Sequence, residues 1–234
     1  MLHEFSADEI AKVKAEYPKL DLVRPGTWEG EIDFDREYRE YRIKDTYKVA
    51  ITAPEGYPAF IPSLREIGGR TQAIAEKYKL TDIRDLHYNT NNRTACVCVK
   101  QEEKTKFPPG SDLVHFIEAL AIPYLYGLSF YDEQGYWPWG EYSHGAIGLL
   151  EYYADDPSEQ SKEDIEVIAG TFRDDLNWKR YSKQLRKPSP DKSCPCGKDK
   201  PFQKCHADAY RGLLRLNGDL KRLKLNPYKL FNRT

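Results

Sequence analysis

Apolar positions recur along the chain with two periods, and each period marks an element. Ile10, Val13, Tyr17 and Leu20 fall at helical spacing behind Ser6-Ala7-Asp8-Glu9. That tetrad is a capping box, in which the Ser6 hydroxyl takes the Glu9 N–H while the Glu9 carboxylate takes that of Ser6. Pro25-Gly26 ends this region. From Trp28 to Phe34 apolar and polar residues alternate as in a half-buried strand, and period two returns at Tyr47, Val49 and Ile51. Between these strands Asp35 to Asp45 is charge-rich and includes a turn. Tyr57-Pro58 and Ile61-Pro62 force extended backbone before each proline, and a third strand over Pro62 to Ile67 completes a meander. Gly68-Gly69 breaks the pattern.

The second half of the chain reads as mostly helical. Thr71 to Leu80 predicts a short helix with Ile74 and Tyr78 on one side. Leu86 to Asn92 is polar and turn-rich, and Thr94 to Val99 is small and β-branched. Pro108-Pro109-Gly110-Ser111 is a stop followed by a cap. After it, Leu113, Val114, Phe116, Ile117, Leu120 and Ile122 fill more than one helical face, which predicts a central helix kinked or ended by Pro123. Tyr136 to Gly140 is an aromatic loop in which Trp137 and Trp139 form a packed lid. Helices are expected over His144 to Tyr153, from Ser161 onward with Ile165, Ile168, Phe172 and Leu176 inward, and over Ala207 to Leu225. Lys187-Pro188-Ser189-Pro190 is the expected boundary between two domains, 1–187 and 188–234.

Charge changes this picture. The net charge of −1 hides a split: from Trp178 to Thr234 there are 16 Lys and Arg against 4 Asp and Glu, a surplus of +12, while the remainder holds 20 against 33. This is the pattern of a basic module on an acidic body, open to an acidic protein, to nucleic acid or to attraction between the halves. No stretch reads as a membrane span, and Met1 to Phe5 carries neither a basic start nor a long apolar run, so no signal peptide is expected. Five cysteines, three of them between Cys194 and Cys205, suit metal better than disulfides, and a reducing cytoplasm is the expected compartment.

The strongest local motif is Cys194-Pro195-Cys196-Gly197 followed by Cys205-His206. Three thiolates and one imidazole within a short segment make a closed tetrahedral shell, the donor set of a structural zinc ion. Lys198, Lys200 and Lys204 surround it, and Phe202 is its packing residue. The motif resembles the small zinc module at the C-terminus of the SecA translocation ATPase, matching at all four ligand positions. The second candidate is Cys96. Alone it reads as a small buried hydrophobe, with Cys98 two residues on as packing, a redox partner or a second thiol.

Its context adds to that. The strand from Tyr47, the turn Pro54-Glu55-Gly56-Tyr57-Pro58, Pro62, then His87-Tyr88-Asn89 and Cys96 follow the order of the ubiquitin-conjugating enzymes, and the chain resembles that family over residues 6 to 155. Tyr88 stands where the family has proline, Leu64 to His87 is longer, His87 to Cys96 is shorter, and a glycine usual before the cysteine is absent. The resemblance implies an α+β fold, an antiparallel β-meander flanked by helices, to which this chain adds a zinc knuckle and a basic C-terminal helix. It implies that Cys96 carries the C-terminus of a ubiquitin-like modifier or another protein as a thioester and passes it to an amine, with Asn89 holding the oxyanion and His87 structuring the loop. A separate activating enzyme or a pre-formed acyl donor would load it. Bacterial relatives act in antiphage defence, some conjugating cyclic-nucleotide synthases. Asp132, Glu133 and His144 are candidates for moving the amine's proton. Two other readings remain open: a catalytically inactive adaptor whose basic zinc tail binds protein or nucleic acid, and a cysteine hydrolase pairing Cys96 with His87 or His144.

Overall fold

Strands β1 (Leu20–Arg24), β2 (Thr27–Tyr38), β3 (Tyr41–Thr52) and β4 (Ser63–Glu66) form one antiparallel sheet in chain order. The structure is a computed structural model that describes residues 2–99, 102–139, 142–143, 145–155, 158–175 and 177–230. The charge-rich stretch from Asp35 to Asp45 is the outer half of a long hairpin, since β2 and β3 pair without interruption from Thr27 with Thr52 to Tyr38 with Tyr41. The turn is only Arg39-Glu40, with Arg39 at φ 56°, as a two-residue hairpin loop requires at its first position. Charges on the arms face one another: the Arg42 guanidinium donates to both Asp35 oxygens at 2.7 and 2.9 Å.

Sequence spacing carries the first helix to Leu20, whereas α1 (Ala7–Glu16) stops at Tyr17. Pro18 follows, and the residue before a proline avoids the helical region. Leu20 instead opens β1, so the meander has four strands where three are predicted. The capping box forms as expected.

One face of the sheet carries Ile32, Phe34, Ile43, Tyr47, Val49 and Ile51, all buried. Against it lies a rod built of α4 (Leu113–Phe116), a π-helical turn (Ile117–Ala121) and α5 (Ile122–Gln134). Burying such side chains contributes about 1.5–3 kcal/mol each. The rod runs straight through Pro123. A proline lacks the N–H and clashes with the carbonyl four residues back, and the wider π turn just before it makes the room. Leu113–Gln134 is long and apolar enough to cross a membrane by length and composition, against the reading that no stretch is; 72% of its apolar window is buried in the protein, as in a core helix. Asp45, Arg70 and Ser129 tie the sheet to α2 (Arg70–Lys77) and α5, with Arg70 Nη1 2.6 Å from Asp45 Oδ2 and Ser129 Oγ 2.7 Å from the same oxygen.

The chain divides into two compact units at Gly140/Glu141, not at the proline-rich stretch 187–190. The second unit has its own apolar cluster, which residues 141–187 share with the C-terminal segment. It contains α6 (Gly145–Asp155), α7 (Lys162–Asp174), α8 (Trp178–Arg186), α9 (Phe202–Cys205), α10 (Ala207–Arg222) and α11 (Pro227–Leu230). Leu213, Leu216 and Leu220 of α10 are buried with Leu149, Leu150 and Tyr153 of α6. The two backbones approach closely at Gly212, where a Cβ would stand 1.8 Å from the Leu150 carbonyl oxygen. The basic C-terminal helix is therefore a packed core element of this unit. His144 and Leu176, both singled out in the sequence, lie outside the described residues.

Candidate functional site

The thiol sits at the end of a second, minimal hairpin. A 3-10 turn (Ile83–Leu86) ends at His87, which takes φ 50°. Then β5 (Tyr88–Asn89) pairs with β6 (Thr94–Ala95), Tyr88 opposite Ala95 and Asn89 opposite Thr94. The Cys96 N–H continues this ladder by donating to the His87 carbonyl at 2.7 Å. Pairing thus brings Cys96 beside His87, nine positions away in sequence, at the open end of the hairpin, with Asn89 two residues along β5 toward the turn. The strand expected over Thr94 to Val99 ends at Ala95.

The loop is pinned from beneath by α5 and the aromatic segment. Trp137 Nε1 donates to the Asp85 carbonyl at 2.9 Å, and Tyr124 Oη donates to that of Leu86 at 3.2 Å. The His87 ring meets the edge of Trp137 at 4.6 Å. Trp137 lies so close over α5 that a Cβ at Gly127 would stand 2.0 Å from its ring. This supports the lid reading of Trp137, which is buried. It also gives His87 a packing role beside the thiol.

Asn89 is exposed, and its amide donates to Thr94 Oγ1 at 3.4 Å. Cys96 is exposed as a residue, yet the protein around its sulfur pushes its pKa above the ordinary thiol value by desolvation. Its Sγ donates to the Cys98 carbonyl at 3.8 Å. Cys98 is half-buried, and burial, with the charge of Glu103 adding to it, pushes that thiol up to about 12. Glu103 opens α3 (Glu103–Lys106). Nothing in the sequence singles it out, because a four-residue helix has no periodicity to show. Asp132 and Glu133 lie within the last turns of α5 rather than in a loop, and Asp132 is engaged by Lys77 at 2.7 Å and Arg70 at 3.4 Å.

The four-donor cluster is built by a turn and a helix start. The Cys194 N–H donates to the Lys200 carbonyl at 2.8 Å, and Gly197 at φ 99° closes the turn after Cys196. Cys205 ends α9, and His206 is the N-cap of α10. The donor atoms of Cys194, Cys196, Cys205 and His206 all lie within 4.8 Å of one another. Cys196 Sγ is 3.8 Å from Cys205 Sγ, and Cys194 Sγ is 3.2 Å from His206 Nδ1. Four soft donors so arranged can hold a metal ion. Burial and the neighbouring thiols push the Cys194 thiol up, the cost of crowding donors around a point that needs a cation. Burial holds the His206 imidazole below its usual value, so it is neutral and ready to ligate. Phe202 is fully buried against Tyr210, ring centroids 5.4 Å apart, and anchors the knuckle on α10.

No protein-family model, no curated protein and no solved structure matches the chain.

Proposed function

We propose that the chain is a ubiquitin-conjugating-like acyl transferase that holds the C-terminus of a protein as a thioester on Cys96 and delivers it to an amine. The observation that carries this reading is the exposed thiol at the end of the β5–β6 hairpin, with Asn89 on the facing strand and the meander leading into it. In loading, the Cys96 sulfur forms a bond to the acyl carbon. The donor's leaving group departs with its electron pair, and the thiol proton passes to solvent. In transfer, an amine attacks that carbon, the C–S bond breaks, Cys96 leaves as thiolate, and the nitrogen's surplus proton passes to that thiolate or to solvent. The negative oxygen formed between these steps needs a donor, and the Asn89 amide is the side chain assigned that role in this reading. A thiol of raised pKa is a slower leaving group, toward water and amine alike.

Zinc is the metal proposed for the Cys194, Cys196, Cys205 and His206 cluster. A tetrahedral zinc–thiolate shell of about 2.3 Å radius has edges of about 3.8 Å, the separation of the Cys196 and Cys205 sulfurs. Four protein donors close the shell, so the metal would be structural and would order the segment from Ser193 to His206.

The test is the intact mass of the full chain recovered from cells that hold its genomic neighbours, before and after thiol reductant. A protein-sized adduct lost on reduction, and retained as an ester in Cys96→Ser, is the expected result. An unmodified chain in both states, with Cys96 inert to alkylation, favours the non-catalytic adaptor. Metal content is read separately. One zinc per chain is expected, and the cobalt-substituted form should show thiolate-to-metal charge-transfer bands that Cys196→Ser weakens.

A further inference from the structure

Beside the knuckle lies a cleft of about 480 Å³, and four of its eight lining residues are cationic. One wall is α8, where Arg180 and Lys183 stand three residues apart and so share a face. The other wall is the knuckle, which supplies Lys192, Ser193, Lys198 and Asp199. The walls approach closely: Arg180 Nη1 lies 3.8 Å from where a Cβ on Gly197 would stand. All four cations are exposed, and none has an ion-pair partner among the described residues. The single carboxylate, that of Asp199, accepts a long hydrogen bond from Ser193 Oγ at 3.4 Å.

Like charges this close, left unneutralised, disfavour the folded state. Elsewhere in this unit two arginines are satisfied by the protein itself. Arg215 donates to the Tyr153 and Ser158 carbonyls, and Arg222 to Asp219 and the Gln160 carbonyl. The four cleft cations have no such partner among the described residues and line one cavity, an arrangement that suits an anion.

We infer that this cleft binds the phosphate backbone of a nucleic acid strand without regard to sequence. A peptide partner would need apolar anchors set into pockets, and the cleft is lined by charged and polar residues and one glycine. It also has no aromatic platform for stacking bases. What it offers is repeated positive charge on two facing segments, which suits a run of phosphates and carries no sequence information. The knuckle wall is held by backbone bonds from the Cys194 N–H to the Lys200 carbonyl and from the Phe202 N–H to the Lys192 carbonyl, both 2.8 Å. The proposal is therefore independent of the thiol chemistry.

The experiment is fluorescence anisotropy of the full chain with a labelled single-stranded 20-mer of mixed sequence, over a series of salt concentrations. The unaltered chain should bind with affinity that falls steeply as salt rises. The variant R180Q/K183Q/K192Q/K198Q should bind at least tenfold more weakly, with the slope of log affinity against log salt reduced by roughly 3, about 0.7 for each phosphate no longer neutralised. The control K162Q/K221Q/K224Q/K229Q removes the same charge outside the cleft and should stay within threefold of the unaltered chain. Equal weakening in both variants would mean diffuse attraction and overturn the site. Absence of salt-dependent binding by the unaltered chain overturns it as well. Displacement by a poly-glutamate peptide of equal charge as effectively as by unlabelled strand would assign the cleft to an acidic protein instead. A second readout needs no variant: in the complex, Lys183, Lys192 and Lys198 should be protected from acetylation relative to Lys221 and Lys224, and equal labelling of all five refutes the cleft.

Discussion

At the scale of single residues, Cys96 shows how accessibility and reactivity come apart. The side chain reaches solvent, yet desolvation of its sulfur raises the pKa. Below a raised pKa the thiolate is a minority whose share grows tenfold with each pH unit. Alkylation of Cys96, followed by peptide mass spectrometry against free cysteine with its ordinary pKa near 8.5, should therefore be slower than the reference at pH 7. It should keep climbing beyond the pH at which the reference levels off. A plateau earlier than that of free cysteine would contradict the desolvated setting. Asn89 makes a separate prediction. Asn89→Ala should slow amine attack on the loaded chain by about 10²–10³, some 2.7–4 kcal/mol of barrier, and leave loading little changed. Single-turnover discharge kinetics against loading kinetics distinguish the two. The sequence names Cys96, His87 and Asn89 as candidates. Their surroundings were not legible there, because those come from Trp137, Tyr124 and the Glu103 turn, residues distant along the chain or in elements too short to leave a periodic trace.

At the scale of elements, the legible features were those set by local chemistry. The capping box, the alternation in β2 and β3, and the apolar rod from Leu113 each follow from neighbours a few residues away. The misreadings arose where a competing rule won. Pro18 stopped α1 three residues short of the apolar Leu20, and a π turn carried the rod through Pro123 instead of ending it. The turn expected within Asp35 to Asp45 is there at Arg39-Glu40, but the reach of the strands around it was not legible, because cross-strand pairing, as between Arg42 and Asp35, leaves no mark on one strand's own pattern. The aromatic lid is the element on which the thiol loop rests. Trp137→Ala removes a buried ring and the bond from Nε1 to Asp85, and should cost about 3–5 kcal/mol of stability in the first unit. Its effect should extend to faster amide exchange at Leu86, His87 and Cys96. Exchange confined to the 137 region would show that the lid does not hold the loop.

At the scale of the whole chain, the misplaced boundary has a physical cause. Pro188 and Pro190 resemble a linker, but a four-donor knuckle with a single buried phenylalanine has too little apolar area to stand alone. It uses α6 to α8 and α10 as its core, with Cys194, Phe202 and Leu213 in one cluster with Leu150 and Tyr181. A metal held by the knuckle and the helices of this unit would then be one cooperative structure. A folded site that binds an ion stabilises the unit holding it, by an amount that grows with the ion's affinity. The two apolar clusters are separately contiguous, so heating should give two transitions. A strong zinc chelator, or Cys194→Ser at the fully buried ligand, should move the transition of Glu141–Thr234 down by about ten degrees or more, the scale of a few kcal/mol in a unit this size. The transition of Met1–Gly140 should stay within about two degrees. Calorimetry with hydrogen exchange to assign each peak is the measurement. If α10 amides near Leu213 keep their protection after chelation, the knuckle is an appendage to this helical unit and not part of its fold.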